Sequence, residues 1–167
     1  MIHPLRRVAL TALVCGAAVA PAIADEVYVQ IPGIPGESLS AKYPNWIAAS
    51  AFGQDYNRRM CGGVTLTKSL DKASALLAMA AVDGQPLSMA TIAVVKPGST
   101  ALEFLRIVLT DVIVSNVNIQ GTAATTAISE SVKLLPRSVT ITYRQQQVDG
   151  ALGAAVTTVV TCNRPVG

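Results

Sequence analysis

Most of the chain consists of short apolar segments separated by Pro, Gly and Asp-Gly turn signals. Several segments alternate apolar and polar side chains, as a strand does when one of its faces is buried. The clearest case places Leu105, Ile107 and Leu109 on one face. Nine segments are predicted as strands: 27–31, 46–52, 64–67, 89–95, 101–110, 112–120, 128–134, 139–143 and 154–160. The series predicts a mainly β fold, a sandwich or closed barrel.

One segment has the spacing of a helix instead of a strand. Asp71 is a suitable N-cap, and Gly84 stops the segment. The apolar residues between them recur at positions that share one helical face: Ala73, Leu76, Leu77, Ala80 and Ala81. We therefore predict a single α-helix over about residues 71–83, flanking the sheets.

A polar stretch interrupts the strands in the first half of the chain. Residues 54–59 include Arg58 and Arg59, and Cys61-Gly62-Gly63 follows them. This composition predicts an exposed loop. The two arginines form too short a basic run for nucleic-acid binding, so we interpret them as a solvated loop face.

The first 24 residues have the three parts of a secretory signal peptide. Arg6 and Arg7 form the basic region, an uncharged apolar segment covers 8–20, and Ala22 and Ala24 supply the small residues before cleavage. The apolar segment has 13 residues, whereas a membrane span needs about 20, so a stable membrane anchor is the weaker interpretation. We predict cleavage between Ala24 and Asp25, a single mature domain over 25–167, and export to the periplasm or the extracellular space.

Cleavage removes 24 of the 167 residues and takes with it His3, the only histidine. A mature chain without imidazole cannot use a Ser-His-Asp relay or bind zinc through histidine. Glu103 and Glu130 could form a carboxylate pair for glycoside chemistry, but two solvated strand positions are the simpler interpretation. We expect no enzyme activity, no cofactor and no metal. The net charge of +3 across the whole chain also gives no basic surface for nucleic acid.

Two cysteines remain in the mature chain, Cys61 and Cys162. In an oxidising compartment such a pair predicts a disulfide. The alternative is two unpaired, buried thiols, since free cysteine is among the most buried residue types.

Six stretches of the sequence occur in a characteristic order: Val27 to Ile31 with Gly36-Glu37-Ser38, Ser69 to Met79, Glu103 to Val117, Glu130 to Leu134, Val139 to Arg144, and Asp149-Gly150. Taken together and in this order, they resemble the haemolysin-coregulated protein family, Hcp, the tube protein of type VI secretion. The resemblance extends from about Val27 to Val160 and depends on the ordered series, since no single motif is diagnostic.

The resemblance implies a small β-barrel of two antiparallel sheets with one flanking helix, assembled as a hexameric ring. In that family the rings stack into a tube that a contractile sheath propels, and the lumen can carry small effectors. The implied partners are therefore other copies of the chain, together with sheath, spike or small effector proteins.

The sequence departs from the family at three places. Cytoplasmic tube proteins usually have no signal peptide. The family's Trp-Ser-Trp-Gly pattern corresponds here to residues 50–53, so the serine associated with cargo is replaced by Ala51. The extended loop that helps rings stack corresponds to residues 54–63, which do not share its glycine-rich composition.

Two functions are therefore considered: a ring-forming structural subunit, and an exported monomeric β-barrel that binds a ligand. Edge strands discriminate between them, because a monomer protects its edges with charges or prolines. The predicted last strand, 154–160, contains neither. We expect this strand to be covered, either by its own barrel or by a neighbouring subunit.

Overall fold

The computed structural model describes residues 24–57, 60–98, 101–121 and 127–162. The predicted signal peptide lies outside these residues, except for Ala24, and so do Arg58 and Arg59. The elements in chain order are β1 (Glu26–Gln30), β2 (Ile47–Ala49), β3 (Ala51–Asn57), β4 (Met60–Ser69), α1 (Ala73–Asp83), β5 (Leu87–Lys96), β6 (Leu102–Gln120), β7 (Ser129–Leu135), β8 (Ser138–Gln146) and β9 (Leu152–Thr161). The predicted mainly β fold with one helix is confirmed.

The strands form a barrel because their order returns on itself. The hydrogen-bonded order is β2-β1-β5-β6-β7-β4-β3, and all pairs are antiparallel. The two strands at the ends of this order, β2 and β3, are separated in the chain only by Ser50. The Ser50 N–H donates to the Thr67 carbonyl at 2.8 Å. The chain therefore stops pairing with β1 and begins pairing with β4 within one residue.

The long strand β6 joins the two sheets of the barrel. Its first half pairs with β5 along one edge and with β8 along the other, and its second half pairs with β7. The sequence predicted two strands here, and the structure has one, bent at Asp111 with φ of 51°. Aspartate tolerates this left-handed backbone better than most residues. Arg137 Nε donates to Asp111 Oδ2 at 2.5 Å beside the bend.

Side chains from most of the strands and from α1 form the main apolar core. Its fully buried members include Val29, Ile47, Val64, Leu66, Leu77, Ile92, Leu109, Val112 and Leu134. Burying one side chain of this size contributes about 1.5–3 kcal/mol, so these contacts dominate the stability of the fold.

The predicted helix is present but begins at Ala73, with Lys72 at the N-cap position and Asp71, the predicted N-cap, one residue before it. Asp71 Oδ1 accepts a hydrogen bond from the Ala73 N–H at 2.9 Å, and Ser74 Oγ accepts one from the Asp71 N–H at 3.1 Å. Two N–H groups at the helix start are thereby satisfied reciprocally. Gly84 ends the helix in the left-handed conformation, with φ of 62°.

The predicted loop over residues 54–63 is wrong. Residues 54–57 and 60–63 belong to two paired strands instead, in which Ala51 to Asn57 pair with Met60 to Thr67. The glycines that suggested a loop instead form a bulge: the register shifts beside Asp55, and Gly63 has φ of +88°. A β-carbon on Gly63 would lie 2.7 Å from the Leu134 carbonyl oxygen, so this strand needs a glycine for close approach to β7.

Candidate assembly surface and buried polar site

The β8–β9 hairpin extends beyond the barrel that supports it. β8 pairs with β6, whereas β9 pairs with β8 alone among the described residues. From Leu152 to Thr161 the strand has no charged residue and no proline. Its outer edge is therefore a row of backbone donors and acceptors without the usual protection against pairing. Of the two covers expected for this strand, the barrel supplies none along its outer edge among the described residues.

One face of the hairpin runs continuously from the core into solvent. Val139 is buried in the core, and Ile141 packs partly against it. Tyr143, next on the same face, is 45% exposed, and Val156 opposite it is 69% exposed. On the other face Val159 is 65% exposed. The apolar surface of this hairpin is thus longer than the core that covers it, which is typical of a surface completed by a partner.

A buried ion pair connects two strands to the helix. Lys68 on β4 and Glu130 on β7 face each other in the sheet register, and Lys68 Nζ lies 2.9 Å from Glu130 Oε2. Ser74 on α1 donates to the same carboxylate oxygen and accepts from Lys68 Nζ at 3.0 Å. Lys68 Nζ also lies 2.8 Å from Asp71 Oδ1. The interpretation of Glu130 as a solvated strand position is therefore wrong.

The two glutamates considered for glycoside chemistry belong to different clusters. Glu103 receives hydrogen bonds from Arg106 Nε at 2.6 Å and from the Tyr43 hydroxyl at 2.6 Å. This cluster includes Tyr43, which packs with Trp46 outside the main apolar core. Glu130 is buried elsewhere, between β4 and α1. Because Glu130 is buried and ion-paired, no solvated carboxylate pair exists between these two residues.

The Glu103 cluster alters the titration of its members. Burial raises the pKa of Glu103, but hydrogen bonds from Arg106 and Tyr43 outweigh burial, and the net effect is a lowered pKa. Burial, followed by the hydrogen bond to Glu103, raises the pKa of Tyr43 well above its usual value of 10. The cluster anchors the segment between β1 and β2 on the outer side of the sheet, where Tyr43 also stacks on Tyr28 with ring centroids 4.7 Å apart.

The structure joins Cys61 on β4 to Cys162, the residue after β9, in a disulfide with a Cα–Cα distance of 5.2 Å. The two cysteines are 101 residues apart in the sequence, and their bond joins the end of β9 to the β3–β4 hairpin. At the predicted cleavage position, Ala24 and Asp25 are exposed just before β1, and Asp25 lies 3.0 Å from Lys96 Nζ.

Within the described residues, no group of three or more His, Cys, Asp or Glu side chains could hold a metal ion. In the same part of the chain, no helix has the length and apolar character of a membrane span.

The comparison with protein families identifies the chain. The family model described as "Type VI secretion system effector, Hcp" matches residues 28–149, well over half of the sequence. The chain belongs to the Hcp family. A search of curated proteins found Protein hcp1 of Pseudomonas aeruginosa, 33% identical over 89 residues. That match covers 53% of this chain, and the chain spans about half the length of this curated relative, 55%.

Solved structures of Hcp proteins have the same fold. Hcp1 from Salmonella typhimurium is 26% identical and gives a TM-score of 0.75, covering 83% of this chain and 95% of that one. A type VI secretion system effector from Yersinia pestis is 25% identical with a TM-score of 0.72, covering 81% and 98%. The predicted membership of this family is confirmed.

Residues 51–53, for which the sequence predicted a counterpart of the Hcp aromatic pattern, lie at the start of β3. Ala51 and Gly53 are exposed, whereas Phe52 points inward and packs partly against the core. Ala51 thus exposes only a methyl group.

Proposed function

We propose that this chain is a structural subunit of a type VI secretion tube and that it assembles as a hexameric ring. Its Hcp family membership supports this role, and the unprotected β8–β9 hairpin is the observation that carries the assembly. A monomer would have to expose the uncharged β9 edge and the apolar side chains of Tyr143 and Val156 to solvent. Such an edge pairs readily with another chain. In a closed ring, the neighbouring subunit covers both the β9 edge and these apolar side chains.

The further partners of such a subunit are a sheath, a spike and small effector proteins carried in the lumen. Ala51 affects this part of the proposal directly. Because it has no hydroxyl, an effector held here would depend on van der Waals contact and on neighbouring polar groups instead of the family's serine. We therefore propose a ring with weak cargo selectivity at this position.

We further propose that residues 1–24 direct export, that cleavage leaves Asp25 as the first residue, and that Cys61 and Cys162 are bridged in the exported protein. An oxidising compartment favours the bridge, and the 5.2 Å between the Cα atoms is within the range that a disulfide spans. Intact-mass spectrometry of the exported protein tests both points. A mass that begins at Asp25 and is two hydrogens below the reduced value is the expected result.

The decisive experiment is the solution mass of the exported protein, measured by light scattering on a sizing column without reductant. We expect six subunit masses. A monomer at micromolar concentration would contradict the ring and favour the exported monomeric binding module. Repeating the measurement with reductant separates assembly from the disulfide, since a ring that survives reduction does not depend on that bond.

A further inference from the structure

The helix α1 has an outward face that its own barrel does not cover. From Ala73 to Val82 the helix contains no charged residue. Ala75, Met79 and Val82 follow the i, i+4, i+7 spacing of one face, and Met79 and Val82 are 56% and 87% exposed. A helix that is apolar on all sides is ordinarily buried on all sides. This face is therefore incomplete in a single subunit.

A groove lies beside this face. It has a volume of about 260 Å³ and runs between α1 and the turn after β1. Its lining is mainly apolar, with Asp83 as its one charged residue, and includes Pro32, Ile34, Leu76, Met79 and Leu87. The groove gives the helix face a concave side that can accept projecting side chains.

The groove and the β8–β9 hairpin lie toward opposite edges of β6. Leu87 begins β5, which pairs with one edge of β6, and Pro32 follows β1, which pairs with β5. The hairpin continues the sheet from the other edge of β6 through β8. The chain thus presents two different, mainly apolar surfaces on two flanks.

Two different surfaces on opposite flanks are what a closed ring requires. A ring forms by head-to-tail contacts, in which one patch of each subunit meets a different patch of the next. The centres of such interfaces are depleted of charged residues, as both of these surfaces are. We infer that the β8–β9 hairpin of one copy packs against the α1 face and groove of the next copy. This inference depends on the proposed ring and specifies which surfaces build it.

The test uses one charged variant on each surface. Val156→Asp alters the hairpin, and Met79→Asp alters the helix face. Each variant alone is expected to lose the six-subunit mass and sediment as a monomer. Mixed in equal amounts at the highest soluble concentration, the two variants are expected to form heterodimers, because each supplies the intact surface that the other lacks.

Leu39→Asp is the matched control, since Leu39 is 99% exposed and belongs to neither surface, and this variant is expected to keep the ring. Circular dichroism checks that each variant is folded. If Met79→Asp is not folded, Val82→Asp replaces it, and if Val156→Asp is not folded, Tyr143→Lys replaces it. The inference is overturned if Met79→Asp and Val82→Asp keep the ring, if the mixture stays monomeric, or if either variant forms homodimers. A wild-type monomer would instead overturn the proposed function.

Discussion

Lys68 Nζ lies 2.9 Å from Glu130 Oε2 inside the barrel, and both side chains are fully buried. The pair joins β4 to β7, and Ser74 adds the helix to the same contact. Glu130 Oε1 accepts no hydrogen bond from the described residues. The buried carboxylate is therefore stabilised through Oε2, which accepts from both Lys68 and Ser74. Buried charges of this kind favour one specific arrangement of helix and sheets.

Removing one member of this pair is predicted to destabilise the protein strongly. Lys68→Met leaves the Glu130 carboxylate buried without its cation, which costs about 3–5 kcal/mol. Lys68→Met combined with Glu130→Leu removes both charges and is expected to recover most of the loss. Urea denaturation of the single and double variants measures the free energies of unfolding. A double variant as unstable as the single one would contradict this account.

The Cys61–Cys162 bond is predicted to stabilise the fold by constraining the unfolded chain. For a loop of about 100 residues the chain-entropy model gives at most about 4–5 kcal/mol. The variant Cys61→Ser/Cys162→Ser should therefore unfold at a lower denaturant concentration than the oxidised wild type. Wild type in reductant is the matched control and should unfold like the variant. Equal midpoints for oxidised and reduced wild type would show that the bond contributes nothing.

Gly63→Ala is predicted to be more destabilising than Gly33→Ala. Both glycines have similar positive φ angles, +88° and +83°, so both substitutions incur the same backbone strain of about 1 kcal/mol. A β-carbon on Gly33 meets nothing within 4 Å, whereas on Gly63 it would lie 2.7 Å from the Leu134 carbonyl. Thermal denaturation of the two variants isolates this clash. Equal melting temperatures would show that β4 and β7 can move apart at the bulge without a measurable loss of stability.

Glu103 is predicted to contribute stability that acid removes. Its pKa is lowered in the folded protein, where Arg106 and Tyr43 donate to the carboxylate. The contribution is therefore present above the unfolded pKa of about 4.3 and is lost as the pH falls through the folded pKa. The stability difference between wild type and Glu103→Gln should be larger at about pH 6 than at about pH 3. A difference that does not change with pH would exclude this role.

Much of the fold could be predicted from the sequence because alternation and turn residues are local signals. The helix between Asp71 and Gly84 and most of the strands after it follow from spacing, but spacing divides β6 into two strands at Asp111. The β3–β4 hairpin could not be predicted in this way, because Gly62 and Gly63 suggest a loop unless β7 is known to approach closely. The function was predicted from the family resemblance, because no sequence motif marks the part of the β8–β9 hairpin beyond the barrel or the outward face of α1.

The buried ion pair was missed although the sequence contains a signal for it. Lys68 falls in phase with Val64 and Leu66, and Glu130 falls in phase with Val132 and Leu134. Opposite charges on the inward faces of two strands predict either a buried pair or a strand in the wrong register. Only the pairing of β4 with β7 distinguishes the two, and that pairing is not a local property.

Ser50 is an extra residue in an otherwise regular alternation. Ile47 and Ala49 point inward before it, Phe52 points inward after it, and the two residues between Ala49 and Phe52 are both exposed. Deleting Ser50 would keep Ile47, Ala49 and Phe52 facing inward. It would also remove the residue at which the chain passes from pairing with β1 to pairing with β4. The closure of the barrel is thus encoded in a residue count and not in a side chain. Homologous chains should keep the number of residues between these two strands.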